Sequence, residues 1–190
     1  MSKRSLAVEE TVFRLAETFT ISRGSRNQAN VITVSITEDG KTGFGECVPY
    51  ARYDETVGGV IAAITALRPD IEAGVTRAEL QSLLPVGAAR NALDCALWDL
   101  EARQSGKRAY ELAGLPQPEP VTTAFTLSLE APDVMRQKAR RHAHRPLLKI
   151  KLGGEGDVDR IVAVREGAPE TAIIVDANEG WSVETYRSLA

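Results

Sequence analysis

Apolar and polar positions alternate with period two over residues 31–37, with Ile32, Val34 and Ile36 on one face and Thr33 and Ser35 on the other. That pattern predicts a strand with one side in a core. Glu38-Asp39-Gly40-Lys41 is a turn sequence, and the glycine-rich residues 42–47 are expected to return as the partner strand. Upstream, residues 5–15 read as another strand leading into Phe19-Thr20-Ile21. Ser22-Arg23-Gly24-Ser25-Arg26-Asn27-Gln28 is polar and aperiodic, which predicts an exposed, mobile loop between strands.

The period then lengthens to that of a helix. Residues 54–67 place Val57, Val60, Ile61, Ile64 and Leu67 at helical spacing, and Thr76-Arg77-Ala78-Glu79 is a capping-box sequence opening a short helix through Leu84. Residues 88–104 carry the stripe Ala89, Leu93, Ala96, Leu97 and Leu100, with Gly106 as the stop. Strands followed by helices predict an α+β unit over residues 1–114, and Pro116-Gln117-Pro118-Glu119-Pro120 marks a stiff linker at 115–120.

Over residues 121–190 strand and helix alternate. Strands are expected at 121–127, 147–152 and 172–177, and helices at 132–142 and 157–166, with Ser182 capping another. Such alternation predicts parallel strands and the first units of a TIM-like barrel, whose functional residues gather at the strands' C-terminal ends. Thr126, Lys151 and Asp176 stand at such ends, spaced 25 residues apart. A barrel of this kind typically has ~250 residues, so the barrel is expected to be incomplete here, as in a fragment or truncated product, unless another chain completes it.

Lys149-Ile150-Lys151 is the most informative chemistry. In a strand, Lys149 and Lys151 project to one face while Leu148, Ile150 and Leu152 face the other way. Neighbouring ammonium groups repel, and desolvation acts in the same direction, so a lysine so placed is expected to become a usable base toward carbon. Ile174-Val175-Asp176-Ala177-Asn178 ends a second apolar run with Asp176 and Asn178 on one face, and a carboxylate there suits a hard divalent cation. Alone, each feature has a plainer reading. Lysines in strands are mostly solvated edges, Asp-Ala-Asn-Glu-Gly is a turn composition, and Arg23 and Arg26 are ordinary loop charges.

Composition narrows the class without naming the chemistry. The 190 residues are 43% hydrophobic and 26% charged, with net charge -3, which argues against nucleic acid or an anionic membrane as the main partner. The first ten residues lack a signal-peptide core, and residues 57–67 fall far short of a bilayer span, so a cytoplasmic location is expected. Cys47 and Cys95 match no metal spacing and are expected in the core. His142 and His144 read as plain surface, and Arg136, Lys138, Arg140, Arg141 and Arg145 as the wet face of one amphipathic helix.

Taken together, the motifs resemble the enolase superfamily, muconate-cycloisomerase branch, and within it the dipeptide epimerases of L-Ala-D/L-Glu type. The resemblance covers essentially the whole chain. It rests on Arg23-Gly24-Ser25-Arg26, on Gly45-Glu46-Cys47-Val48-Pro49-Tyr50-Ala51-Arg52-Tyr53, and on Ala88-Ala89-Arg90-Asn91-Ala92-Leu93-Asp94-Cys95-Ala96-Leu97-Trp98-Asp99-Leu100. Thr123-Ala124-Phe125-Thr126, the Lys-Ile-Lys triplet and Val175-Asp176-Ala177-Asn178-Glu179-Gly180-Trp181 complete it.

The resemblance implies an N-terminal capping domain whose loops close over a (β/α)7β barrel, with one Mg2+ holding a substrate carboxylate and stabilising an enediolate. It implies Lys151 as the base, Lys149 as its carboxylate-binding neighbour, Asp176 as the first of three metal ligands and Asn178 as a supporting residue. Arg26 would bind the distal carboxylate of a glutamyl residue, while Tyr53 and Thr126 would line the pocket. The further acidic ligands, the opposing lysine and the acidic pair for the dipeptide's amino group are expected beyond this stretch, so the chain alone is not expected to epimerise. The partner implied is a small dipeptide, such as one from cell-wall peptide turnover, with homo-oligomerisation left open. A related cycloisomerase or o-succinylbenzoate synthase-type lyase, or a non-catalytic truncated product or assembly subunit, are the alternatives.

Overall fold

The computed structural model describes residues 4–189. By contact it divides into two compact units, one of residues 1–14 and 29–118, the other of residues 15–28 and 119–190.

The antiparallel sheet has the order β1 (Ser5–Ile21), β2 (Gly24–Glu38) and β3 (Lys41–Cys47), and the β1–β2 ends over residues 15–28 belong to the second unit. Strands β2 and β3 pair antiparallel from Ile32↔Cys47 to Glu38↔Lys41. The connecting residues Asp39 and Gly40 both have positive φ, 51° and 71°, as a tight hairpin turn requires. Helix α4 (Ala88–Ser105) packs on β3, with α1 (Val57–Ala66), α3 (Arg77–Leu83) and α5 (Ala109–Leu112) against α4 and α2 (Arg68–Glu72) against α1. Ile32, Val34 and Ile36 meet Ile64, Leu80, Leu93, Leu97 and Leu100 in one buried core, as their periodicity predicts.

Helix α4 lies directly on β3 because β3 lacks side chains where the helix crosses it. A Cβ at Gly43 would fall 2.2 Å from the Ala96 carbonyl oxygen, and one at Gly45 would fall 2.0 Å from that of Ala92. The Thr76–Glu79 capping box forms as read, with the Glu79 N–H on Thr76 Oγ1 and the Thr76 N–H on Glu79 Oε2. The helix expected from residue 54 starts later. Asp54 is left-handed at the end of a 3-10 turn, Ala51–Tyr53, and Thr56 caps α1 by accepting from Gly59 N. Cys47 is buried, but Cys95 is exposed, contrary to expectation, because it sits off the inward stripe of α4.

The second unit holds a parallel sheet of β4 (Phe125–Leu127), β5 (Leu147–Lys151) and β6 (Ala172–Asp176), in that order, with α6 (Pro132–Arg141), α7 (Asp157–Gly167) and α8 (Val183–Leu189). Leu127, Leu148, Ile150 and Leu152 turn to one face and join Met135, Ala139 and Val164 in the core. Strand β4 is shorter than the expected 121–127. The wet-face reading of α6 fails at Lys138. Its side chain is 12% exposed, and its ammonium bridges Glu17 at 2.7 Å and Glu130 at 2.6 Å. His142 is half-buried rather than plain surface, its ring centroid 4.1 Å from that of Phe125.

Residues 22–28 are not a loop. The turn takes only residues 22–23, and Gly24 onward is strand β2, so Arg26 stands on a strand. Polar side chains on both faces erase the period-two signal, while strand pairing supplies the order that composition hides. Across this ribbon Thr20 and Ser25 hydroxyls meet at 2.9 Å. Residues 15–28 also bond within the second unit, where Thr20 O accepts from Leu129 N at 3.0 Å.

Candidate active site

Parallel pairing brings the charged residues into rows. Thr126, Lys149 and Ile174 are level across β4, β5 and β6, and one side-chain layer onward Lys151 is level with Asp176. Residues level on adjacent strands share a face, so Lys149, Lys151 and Asp176 converge on the side opposite the apolar core. The even 25-residue spacing is therefore not one row, because Thr126 aligns with Lys149 rather than Lys151.

Asp176 is the centre of the group. Its Oδ2 lies 2.8 Å from Lys149 Nζ and 2.8 Å from Lys151 Nζ, and its Oδ1 accepts from the Asn178 backbone N–H at 2.9 Å. Lys151 Nζ also donates to Asn178 Oδ1 at 2.8 Å. The lysines read in sequence as a repelling pair are thus bridged by one carboxylate. The hydrogen bonds from Lys149 and then Lys151 hold the Asp176 carboxyl well below the ordinary carboxylate range, against the opposing effect of burial. The Lys151 side chain is 9% exposed, whereas that of Lys149 is 34% exposed, so Lys149 is the more open to a ligand. Two amines around one carboxylate leave this strand end suited to an anionic group.

Phe19, to which the sequence reading gave no role, joins the group. Lys151 Nζ lies 5.9 Å from its ring centroid and the Arg26 guanidinium carbon 5.7 Å from it. One aromatic ring thus stands beside both the buried lysine and the arginine read as a carboxylate binder. Tyr53 belongs to the first unit, where it is 71% exposed and tilted against Tyr50 at 5.7 Å between ring centroids.

Asp157 and Trp181 also escaped a role in the sequence reading. The Asp157 carboxylate, buried at the start of α7, accepts from the N–H groups of Gly153 and Gly154 and from Trp181 Nε1 at 2.7 Å. It therefore ties the turn after Lys151 to the loop after Asp176. An acid in a helix's first turn was the visible signal for Asp157; its distant partners were not visible. An apolar hollow lined by Val158, Ile161, Val162, Ile173 and Val175 includes none of the lysines or Asp176, so it lies apart from the candidate chemistry.

Among the described residues no group of three or more His, Cys, Asp or Glu could hold a metal ion. Asp176 offers one hard oxygen donor, already engaged by two lysines. One carboxylate is not a divalent-cation site by itself, so the residues present fit Mg2+ only as one member of a ligand set.

An antiparallel sheet with helices, followed by parallel βα units, is the arrangement this chain shares with members of the enolase superfamily. The mandelate racemase / muconate lactonizing enzyme N-terminal domain matches residues 3–114, and the chain belongs to that family. It is 46% identical over 183 residues to the L-Ala-D/L-Glu epimerase of Escherichia coli (strain K12), covering 95% of this chain and 57% of that protein. Among solved structures it resembles an enolase family member from Agrobacterium tumefaciens with homology to dipeptide epimerases, which holds sodium and L-Ala-L-Glu with an ordered loop. That match has a TM-score of 0.92 and 52% identity, covering 98% of this chain and 58% of the other. A dipeptide epimerase from Cytophaga hutchinsonii complexed with Mg and D-Ala-L-Val matches with a TM-score of 0.85 and 28% identity, over 97% of this chain and 54% of the other. The chain thus spans a little over half the length of these relatives.

Proposed function

We propose that this chain supplies the capping domain and part of the barrel site of a dipeptide epimerase that acts on L-Ala-D/L-Glu-type dipeptides by removing an α-proton. The observation that carries the reading is the Asp176 carboxylate shared by Lys151, level with it on the adjacent parallel strand, and by Lys149, two residues back. Lys151, buried and against Phe19, is the base. Lys149, more open, meets the carboxylate of the residue being epimerised. Arg26 takes the distal carboxylate of a glutamyl side chain and Thr126 lines the pocket, while a pocket role for Tyr53 rests on the family resemblance alone. Asn178 fixes the Lys151 ammonium from one side.

The Mg that accompanies the Cytophaga relative supports the same cofactor here, where it would supply electrostatic stabilisation of charge developing on the substrate carboxylate. Asp176 would be one of its ligands. The remaining ligands and an acid on the opposite face of the α-carbon belong, in this proposal, to parts of the site outside the described residues. A cytoplasmic setting, a part in cell-wall peptide turnover and a homo-oligomeric state belong to the same proposal.

The test is a dipeptide panel assayed with the complete gene product. Arg26→Ala is expected to lower kcat/KM on L-Ala-Glu by roughly 10- to 100-fold, the cost of about 1.4–2.8 kcal/mol, with little change on neutral dipeptides. Equal loss on both classes would refute the glutamyl assignment.

A further inference from the structure

The turn between β1 and β2 ends on a single distant atom. Ser22 Oγ donates to the Asn178 carbonyl oxygen at 3.0 Å, and Arg23 Nη1 donates to the same oxygen at 3.1 Å. Arg23 Nη1 also lies 3.4 Å from Glu179 Oε2. Asn178 and Glu179 both have left-handed backbones, with φ of 49° and 65°. Asparagine tolerates that conformation, but glutamate does so rarely, and contacts to the turn at residues 22–23 favour it here.

The packing supplies a seat for this turn. A Cβ at Gly180 would lie 3.1 Å from Ser22 Cβ and 3.2 Å from Gly153 Cα, and one at Gly153 would lie 3.5 Å from Ser22 Cβ. Glycine at both positions lets Ser22 approach the loops that follow Lys151 and Asp176. The conformation held is the one in which the Asn178 N–H meets Asp176 Oδ1 and Asn178 Oδ1 receives Lys151 Nζ.

We infer that Ser22 and Arg23 are positioning residues, a latch that holds the loop at residues 177–180 in the conformation aiming Asn178 at Lys151. The same ribbon carries Arg26 on β2 and Phe19 on β1, the ring beside both Arg26 and Lys151. Seating of the turn and orientation of the lysine are therefore coupled through one carbonyl oxygen. The latch is a structural relation. Its catalytic consequence rests on the epimerase reading above.

Amide hydrogen exchange on the 190-residue chain tests the latch without any assay of activity. The Ser22→Ala/Arg23→Ala double variant is expected to exchange the amides of Asn178 and Gly180 at least about tenfold faster, a local opening cheaper by roughly one factor of ten. Amides within β5 and α7 should keep their protection, which shows that the unit stays folded. Arg23→Lys, which retains a donor, should restore part of the protection. Unchanged exchange at residues 178 and 180 would overturn the latch. In the complete gene product the double variant is expected to lower kcat on dipeptide about tenfold with KM within about twofold, because the lysine's orientation and not ground-state binding is disturbed. A changed KM with unchanged kcat would overturn the coupling to Lys151. If exchange rises as expected but the unmutated protein turns over no dipeptide, the epimerase reading fails and the latch stands.

Discussion

Lys151 and Asp176 stand level on neighbouring parallel strands with Nζ and Oδ2 2.8 Å apart, and Lys149 reaches the same oxygen from two residues back. A strand's period of two and parallel register are enough to produce this convergence. What the two lysines would do alone is altered by the carboxylate between them. Its charge is shared by both, so none of the three can be replaced without leaving another short of a partner.

Acid sensitivity follows from this sharing. Ionised Asp176 is favoured in the folded state, so its stabilising contribution is full above the unfolded carboxylate value of about 3.9 and is lost as pH falls below it. Asp176→Asn is expected to cost about 1–3 kcal/mol near pH 7. The gap to the unmutated chain should shrink steadily as pH is lowered from about 4 toward 2. Urea midpoints of both proteins across that range measure it. A gap that stays constant would show that the carboxylate's charge contributes nothing.

Phe19 stands beside two cations, and its contribution should divide into bulk and π character. Phe19→Leu keeps apolar volume and is expected to cost about 1–2 kcal/mol, from two contacts of roughly 0.5–1 each. Phe19→Ala loses volume as well and should cost visibly more. Thermal midpoints of the two variants decide it. Equal midpoints would mean that packing around the ring is immaterial.

Two glycines of the first unit should respond in opposite ways. Gly45→Ala drives a Cβ into the Ala92 carbonyl of α4 and is expected to destabilise by at least about 1–3 kcal/mol. Gly58, exposed within α1, has nothing within 4 Å of an added Cβ, so Gly58→Ala should gain about 0.5–1 kcal/mol. Denaturant unfolding of each variant checks the pair. A neutral Gly45→Ala would contradict direct packing of α4 on β3.

The two thiols should separate cleanly under a thiol reagent at mildly alkaline pH. Cys47 is buried, and burial, followed by the charges of Glu55 and Glu46, pushes its thiol up to about 11. Cys95 is exposed. Labelling is expected at Cys95 in the folded chain and at Cys47 only as fast as the protein opens. Equal rates at the two sites would contradict the placement of Cys47 in the core.

The legible parts of this fold are those with a strong local period. Ile32-Val34-Ile36, the α4 stripe and the Lys-Ile-Lys triplet each declare a face without help from distant residues. Arg26 was legible as chemistry but misplaced as structure, because a strand polar on both faces carries no alternation to read. Phe19, Ser22 and Asp157 were silent for another reason. Their partners Lys151, Asn178 and Trp181 lie elsewhere in the chain, up to 156 residues away, and only folding brings them together. Asp176 fell between the two cases. Its position at a strand end was readable, but its sharing by two lysines was not.

In the proposed reaction Lys151 takes a proton from one face of a substrate α-carbon, and deuterium wash-in reads that step, with the complete gene product, Mg2+ and L-Ala-L-Glu or L-Ala-D-Glu in D2O. With Lys151→Met, exchange from one epimer is expected to fall by roughly 100-fold or more, while exchange from the other persists. Equal loss from both epimers, or exchange from both at the unmutated rate, would contradict the assignment.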